Sequence, residues 1–215
     1  MATVSVWSGV GVAMQSALAT AVTITGITKA SPGVVTYTGT DPTTGDFVYL
    51  LVSGMSQLNN RVVRIASVDS GANTFQLEGV DTSAYDTFSS GTAQVITFGT
   101  TLATATGLSA SGGDPQFIDT TTIHDLVQTQ IPGVMNAASY SMENIWDPAD
   151  AGLIAAKTAS DAKAQRAFKF TFSNGTKVVF VGYVSCGLLP VGQAQQKVTT
   201  PMTITMYGRA QAYSS

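Results

Sequence analysis

Between Val22 and Phe98 apolar residues come in short bursts separated by turn formers. The bursts are VTITGI, VVTYT, FVYLLV, RVVRIASV, TFQLEGV and QVITF. Ser31-Pro32-Gly33, Asp41-Pro42, Gly45-Asp46, Asn59-Asn60 and Ser70-Gly71 punctuate them. Short, partly alternating runs with a turn signal about every ten residues predict strands of a small β barrel or sandwich. Residues 1–12 alternate loosely and predict a strand. Met14 to Ala21 predicts a turn of helix or a loop. LATATGLSASGG, beginning at Leu102, predicts a strand followed by a flexible loop, and MNAASYSMENIW, beginning at Met135, a further strand.

The pattern changes after Trp146. Asp147 can cap a helix, Pro148 suits its first position, and Asp150 then meets the positive end of the helix dipole. Ala151, Ile154, Ala155, Thr158, Ala159 and Ala162 share one helical face. AFKFTFSNGTKVVFVGYV follows, with Phe168, Phe170 and Phe172 alternating against Lys169 and Thr171. Asn174-Gly175 predicts a two-residue hairpin turn, which pairs Thr171 with Val178, Phe170 with Val179 and Lys169 with Phe180. The second strand is apolar on both faces and is expected inside a sheet. In VTTPMTITMYGR, Met202, Ile204 and Met206 alternate with Thr203, Thr205 and Tyr207, and Pro201 places the start of that strand near a sheet edge.

Charge is scarce. Asp, Glu, Lys and Arg make up 11% of the 215 residues, against about 25% in an average globular protein. A free monomer uses surface charge for solubility; a subunit that buries its surface in an assembly needs less of it. The charge is also uneven. Twelve acids and three bases precede residue 151, and seven bases and one acid follow, leaving −9 and +6. The halves either neutralise each other within one molecule or orient head-to-tail contacts between molecules. Cys186, the only cysteine, excludes an intrachain disulfide and sits in an apolar run that predicts a buried thiol. The uncharged start lacks the basic segment of a signal peptide. No run of about 18 apolar residues predicts a transmembrane helix. A soluble protein made in a reducing cytoplasm, without a membrane partner, is expected.

The stretch DPQFIDTTTIHDLVQTQIPG, from Asp114 to Gly133, holds the only histidine, His124, beside Asp125 and five residues after Asp119. A Ser-His-Asp triad would have to use it. The nearest approach to a nucleophile elbow, GLSAS at Gly107, lacks its closing glycine, and the nearby acids follow no metal-ligand spacing. Gly9-Val10-Gly11 has Met14 where a dinucleotide fingerprint requires glycine. Asn174-Gly175-Thr176 reads as a turn and not as a glycosylation acceptor. No basic cluster interleaved with aromatics predicts duplex binding. No catalytic residue, metal site or cofactor is expected, and no enzymatic activity.

The order and spacing of several segments carry a resemblance. They are SGGDPQFIDTTTIHD, QIPG, ENIWDPADAG with its helix, FKFTFSNGTKVVFVGYVS and VTTPMTITMYG. Together with the N-terminal strand and Met14-Gln15-Ser16, this set resembles the tail tube protein of long-tailed siphophages. ITGITKASPGVVT, GDFVYLLVSGMSQLNNRVVRIASV and NTFQLEGVDTSAY resemble a small β domain that recurs in phage proteins. Such domains often carry His-Gly before the Gly-Asp turn, where this chain has Thr43-Thr44. The resemblance implies a mainly β fold: a β-sandwich or half-barrel flanked by one α-helix, formed by residues 1–21 and 99–215. Residues 22–98 would be an inserted, barrel-like β domain.

The resemblance also implies a role. Six copies would form a ring, and rings would stack into a hollow tube around the tape-measure protein. The tail terminator and distal tail proteins would be further partners. DNA would later pass through the lumen, so the subunit would be a virion protein assembled in the host cytoplasm. A bore that passes a polyanion without holding it is expected to be neutral to acidic, lined by Thr, Ser, Gln and some Asp, because a basic lining would bind phosphates by counterion release. Ile118, Asp119, Thr120, Thr121, Thr122, Ile123, His124 and Asp125 are then expected at a subunit interface. Ser109, Ser111, Gly112, Gly113 and Asp114 are expected in a stacking loop that orders only on assembly. The alternative is a monomeric virion-surface protein for adhesion or carbohydrate binding.

Overall fold

The computed structural model describes residues 8–214. Most of the strand expected over residues 1–12 lies outside them. Strand β1 (Gly11–Met14) is followed by β2 (Ala17–Leu18), so the segment expected as a helical turn or loop holds a two-residue strand, with residues 15–16 and 19–21 irregular on either side. Six strands come next: β3 (Val22–Ile27), β4 (Val34–Thr38), β5 (Phe47–Ser53), β6 (Arg61–Asp69), β7 (Thr74–Leu77) and β8 (Ser90–Thr97). They match the six apolar bursts. The order β8-β3-β4-β7-β6-β5 closes through a β8–β5 pairing, giving a six-stranded barrel, and β2 pairs with the far end of β8. Closure leaves these strands no open edge. Alternation sends Val35, Tyr37, Val48, Leu50, Val63, Ile65, Phe75 and Leu77 inward, all almost fully buried. Gly54 follows β5 at φ +85°, and a Cβ there would lie 2.3 Å from the Thr87 carbonyl oxygen. Only glycine fits that turn.

The rest of the chain supplies β9 (Thr100–Thr101), β10 (Ala105–Ser111), β11 (Pro115–Asp119), β12 (Gln130–Met135), β13 (Ser139–Ile145), helix α1 (Ala151–Asp161), β14 (Gln165–Thr171), β15 (Lys177–Cys186) and β16 (Thr199–Tyr213). With β1 they build a seven-stranded sheet in the order β10-β13-β16-β15-β14-β1-β9. The fold is therefore mainly β, with one α-helix among the described residues. β15 lies inside the sheet, as its two apolar faces require. β16 is flanked by β13 from Thr199 but by β15 only from Met202, so Pro201 stands where the β15 ladder has ended.

Two local expectations are corrected. The helix begins at Ala151, and its cap is Asp150, whose side chain accepts from the Leu153 N–H at 2.8 Å. Asp147 caps the turn before it, accepting from the Ala149 N–H at 2.9 Å. The buried face is Gly152, Leu153, Ala156 and Ala159, and Ile154 is exposed. The β14–β15 register is also shifted by one, pairing Thr171 with Lys177, Phe170 with Val178 and Phe168 with Phe180. Ser173, Asn174 and Gly175 form a three-residue loop, closed by the Phe172 N–H to Thr176 carbonyl bond and by Gly175 at φ +84°. Glycine in the left-handed region is the signature of that longer loop. The shift matters because a one-residue slip moves side chains to the wrong face.

The true register stacks Phe180 against Phe168, Phe170 and Tyr140, with ring centroids 5.2–5.7 Å apart. This cluster, with Met14, Met142, Met202, Ile204, the buried thiol of Cys186 and the alanines of α1, is the core of the seven-stranded sheet. Truncating a fully buried phenylalanine costs ~3–5 kcal/mol. Phe180→Ala is therefore expected to lower the denaturant midpoint of the monomer by that equivalent. A midpoint within error of wild type would show that the cluster does not hold the sheet.

The other face of the sheet is divided. Beneath β14 and the ends of β15 and β16, Ala167, Val179, Val181 and Tyr213 pack against Phe47, Val62 and Ile96 of the barrel. The Arg64 N–H donates to the Tyr213 phenol oxygen at 2.8 Å, and the Arg64 guanidinium, paired with Glu78, lies 4.9 Å from the ring centroid. Burial pushes the Tyr213 phenol up to about 12. The Arg61 guanidinium donates to Gln211 at 2.9 Å. The remaining half of that face is open.

Candidate assembly surfaces

The stretch around His124 forms a hairpin of its own. β11 and β12 pair only with each other, through Phe117↔Pro132, Ile118↔Ile131 and Asp119↔Gln130. A two-stranded hairpin alone is marginal in water. This one also exposes Phe117, Ile118, Val127, Ile131, Val134 and Met135, while Ile123 and Leu126 are 96% and 102% exposed. Exposed apolar side chains in such number are what interaction sites in general bury. The sequence pointed to residues 118–125; the structure adds the apolar residues on both strands.

The tip is held by its own polar groups. The Thr122 N–H and hydroxyl donate to one oxygen of Asp125 at 2.7 and 2.9 Å. Asp119 accepts from the Thr121 N–H at 2.8 Å and from Gln128 at 3.0 Å. Thr120 and Thr129 face each other across the tip at 3.2 Å. His124 is exposed, and its backbone N–H reaches the Thr122 hydroxyl at 3.4 Å. The two aspartates thus serve the turn and present Ile123 and Leu126 outward. Among the described residues no group of three or more His, Cys, Asp or Glu could hold a metal ion.

Both carboxyls are held below the ordinary carboxylate value of 3.8. Hydrogen bonds from Thr121, side chain then backbone, and from Gln128 do this for Asp119. The Thr122 N–H, then its hydroxyl, does it for Asp125. A depressed folded-state value contributes order that is complete above the unfolded value and is lost as pH falls through the folded one. The tip is therefore expected to keep its Thr121 and Thr122 amide shifts on acidification to the ordinary value and to lose them below it. Loss of both shifts in the pH range above 3.8 would contradict these bonds.

The expected stacking loop divides differently. Ser109 and Ser111 belong to β10, opposite Ser141 and Ser139 of β13. Ala105 and Leu108 of this strand pack on the core, but its serines and glycine read as loop. Gly112 and Gly113, at φ +79° and +84°, turn the chain into the hairpin, and a Cβ on Gly112 would lie 2.4 Å from the Ala137 carbonyl oxygen. Exposed Asp114 follows, its carbonyl accepting from the Asn136 N–H at 2.9 Å. β10 is an edge strand without a charged side chain, ATGLSAS, so nothing in it blocks pairing with another chain.

The open half-face completes the picture. The registers of β10, β13, β16 and β15 align Ser109, Ser141, Thr203 and Ser185 in one row, and Ser111, Ser139, Thr205 and Tyr183 in the next. A third row carries Gly107, Glu143 and Pro201. Glu143 is the single charge among these rows, and its side chain is in neither ion pair of the described residues. The opposite face of the same strands is apolar core. In the sequence, Thr203, Thr205 and Tyr207 alternate with apolar residues, as do Ser139, Ser141 and Glu143.

A family model described as phage tail tube protein, TTP, matches residues 53–215, from the end of β5 to the C-terminus. No curated protein matches the chain. Members of that family are structural, self-assembling components of the virion tail. With well over half of its length matched, the chain belongs to the phage tail tube protein family.

Proposed function

We propose that six copies of this chain close into a ring, with the open serine and threonine face of β10, β13, β16 and β15 toward the bore. Rings stack into the tube of a siphophage tail around the tape-measure protein, between the distal tail and tail terminator proteins. DNA passes without specific binding. The chain acts without catalysis and assembles in the host cytoplasm. Residues 22–98 form a domain inserted into a tube domain of residues 1–21 and 99–215, and the hairpin tip and the Gly112–Asp114 turn contact neighbouring copies.

The observation that carries this reading is the hydroxyl-covered face with Glu143 as its single charge. Hydroxyls offer DNA weak, exchangeable hydrogen bonds, and a carboxylate repels phosphate. Neither gives the counterion release that anchors a polyanion. The edge strand β10 supports ring closure, because joining it to a neighbouring sheet would pair its free backbone groups. Electron cryo-microscopy of the assembled protein tests this. Six-fold rings with Thr203 and Glu143 facing the bore are expected. A bore lined by Lys or Arg would reject the orientation. A chain that stays monomeric at every concentration and binds glycans would reject the tube in favour of adhesion.

A further inference from the structure

Between the base of the hairpin and the distal part of β16 lies a groove of about 790 Å³, well within the range of binding pockets. Val134 and Met135 of β12 form one wall, and Met206 to Ala210 form the other. The second wall exists because β16 bulges. β15 pairs Val181 with Tyr207 but Val179 with Gln211, which leaves residues 208–210 outside the ladder, with Gly208 at φ +90°. Val134, Met135 and Ala210 are exposed. Arg209, also exposed, is in neither ion pair of the described residues. The groove is thus apolar with one cation at its rim.

The hairpin tip is its complement. It presents exposed Ile123, Leu126 and Val127 beside two carboxylates, Asp119 and Asp125. We propose that the tip of one copy seats in the groove of the next, with its apolar side chains between β12 and β16 and its carboxylates against Arg209. The five residues of β11 separate tip from base, ~17 Å at about 3.3 Å per residue. The tip therefore cannot reach its own groove without unzipping β11 from β12. Tip and groove are different surfaces of one chain, so the contact is heterologous and propagates from copy to copy. Residues 1–7, the other candidate from this chain, hold no charged side chain to meet Arg209.

This inference rests on the tube reading and specifies the contact that builds the tube. The test introduces Leu126→Cys and Ala210→Cys into one chain; Cys186 is buried and does not compete. Oxidation of assembled protein is expected to give an intermolecular ladder on a non-reducing gel, absent when Val191→Cys replaces Ala210→Cys. Leu126→Asp and Ala210→Trp, each folded by circular dichroism, are each expected to abolish pelletable polymer. Mixed together they are expected to form one-to-one pairs, because the intact tip of the second enters the intact groove of the first. A mixture that stays monomeric overturns the proposal. So does an Ala210→Trp chain that polymerises like wild type, or a link from Val4→Cys to Ala210→Cys in place of the 126–210 link. Tubes of the double-cysteine chain that form like wild type but give no 126–210 link on oxidation overturn the docking and leave the tube reading standing. A 126–210 linked chain that never forms tubes does the reverse.

Discussion

Removing Ile118 to Asp125 is expected to abolish tube formation, whereas His124→Gln is expected to leave it intact. The segment takes away Ile123, the tip carboxylate of Asp125 and the Thr122 turn that holds Leu126 outward. Burying one isoleucine, leucine or valine side chain is worth ~1.5–3 kcal/mol. Losing even two of them from every contact weakens association by roughly two to four orders of magnitude, which moves the assembly threshold beyond attainable concentrations. Little of this is lost from the monomer, because these residues are exposed. Far-ultraviolet circular dichroism is therefore expected to remain that of the intact fold. The imidazole of His124 takes no part in the tip bonds, which run through Asp119, Asp125 and the threonines. Sedimentation and negative-stain microscopy check the pair of outcomes. Tubes from the deleted chain would show that the hairpin tip is dispensable. Failure of His124→Gln alone would give the ring a role that the geometry does not provide.

Why some of this was legible in the sequence and some was not follows from which interactions decide each element. The barrel strands were readable because two local signals coincide, alternation within each burst and a turn former after it. The helix was placed but not its start or face. Asp147 and Asp150 can both cap, and a row of alanines prefers no side. The face is chosen by a tertiary contact, the approach of Gly152 to β9, where a Cβ would lie 2.3 Å from the Thr101 carbonyl oxygen. Asn174-Gly175 announced a hairpin but not its loop length, and the register is settled by the stacking of Phe168 on Phe180. The β11–β12 hairpin gave no alternating pattern because both of its faces are open. A strand that buries neither face has no reason to alternate. Its role among the expected interface residues came from resemblance and from the failure to find His124 a partner. The hydroxyl face needed four strands to be aligned, and the alternation within β13 and β16 does not by itself give that alignment.

Glu143→Lys is expected to leave the tube intact and slow DNA transit. The side chain is exposed on β13, beside Pro201 and Gly107. Lysine can therefore replace it without a lost partner or a buried charge. In a six-fold ring the substitution turns six carboxylates into six ammonium groups, and stacking repeats that ring along the bore. Each phosphate met by a lysine releases condensed counterion, and binding then falls with a slope of about −0.9 per contact in log–log terms as salt rises. Three contacts per ring would make retention roughly 40-fold weaker when salt rises from about 50 to 200 mM. The expected signature is a salt-dependent defect: ejection at least ~10-fold slower than wild type at low salt and close to wild type at high salt. Glu143→Gln, which removes the repulsion but adds no cation, is expected to eject at nearly the wild-type rate. The measurement is DNA release in time from phage carrying each variant, with tail length checked by microscopy. Equal rates for Glu143→Lys and wild type at every salt concentration would place Glu143 outside the bore and reverse the proposed orientation of the sheet. A defect that salt does not relieve would trace to assembly rather than to charge, because only a phosphate contact carries that salt slope.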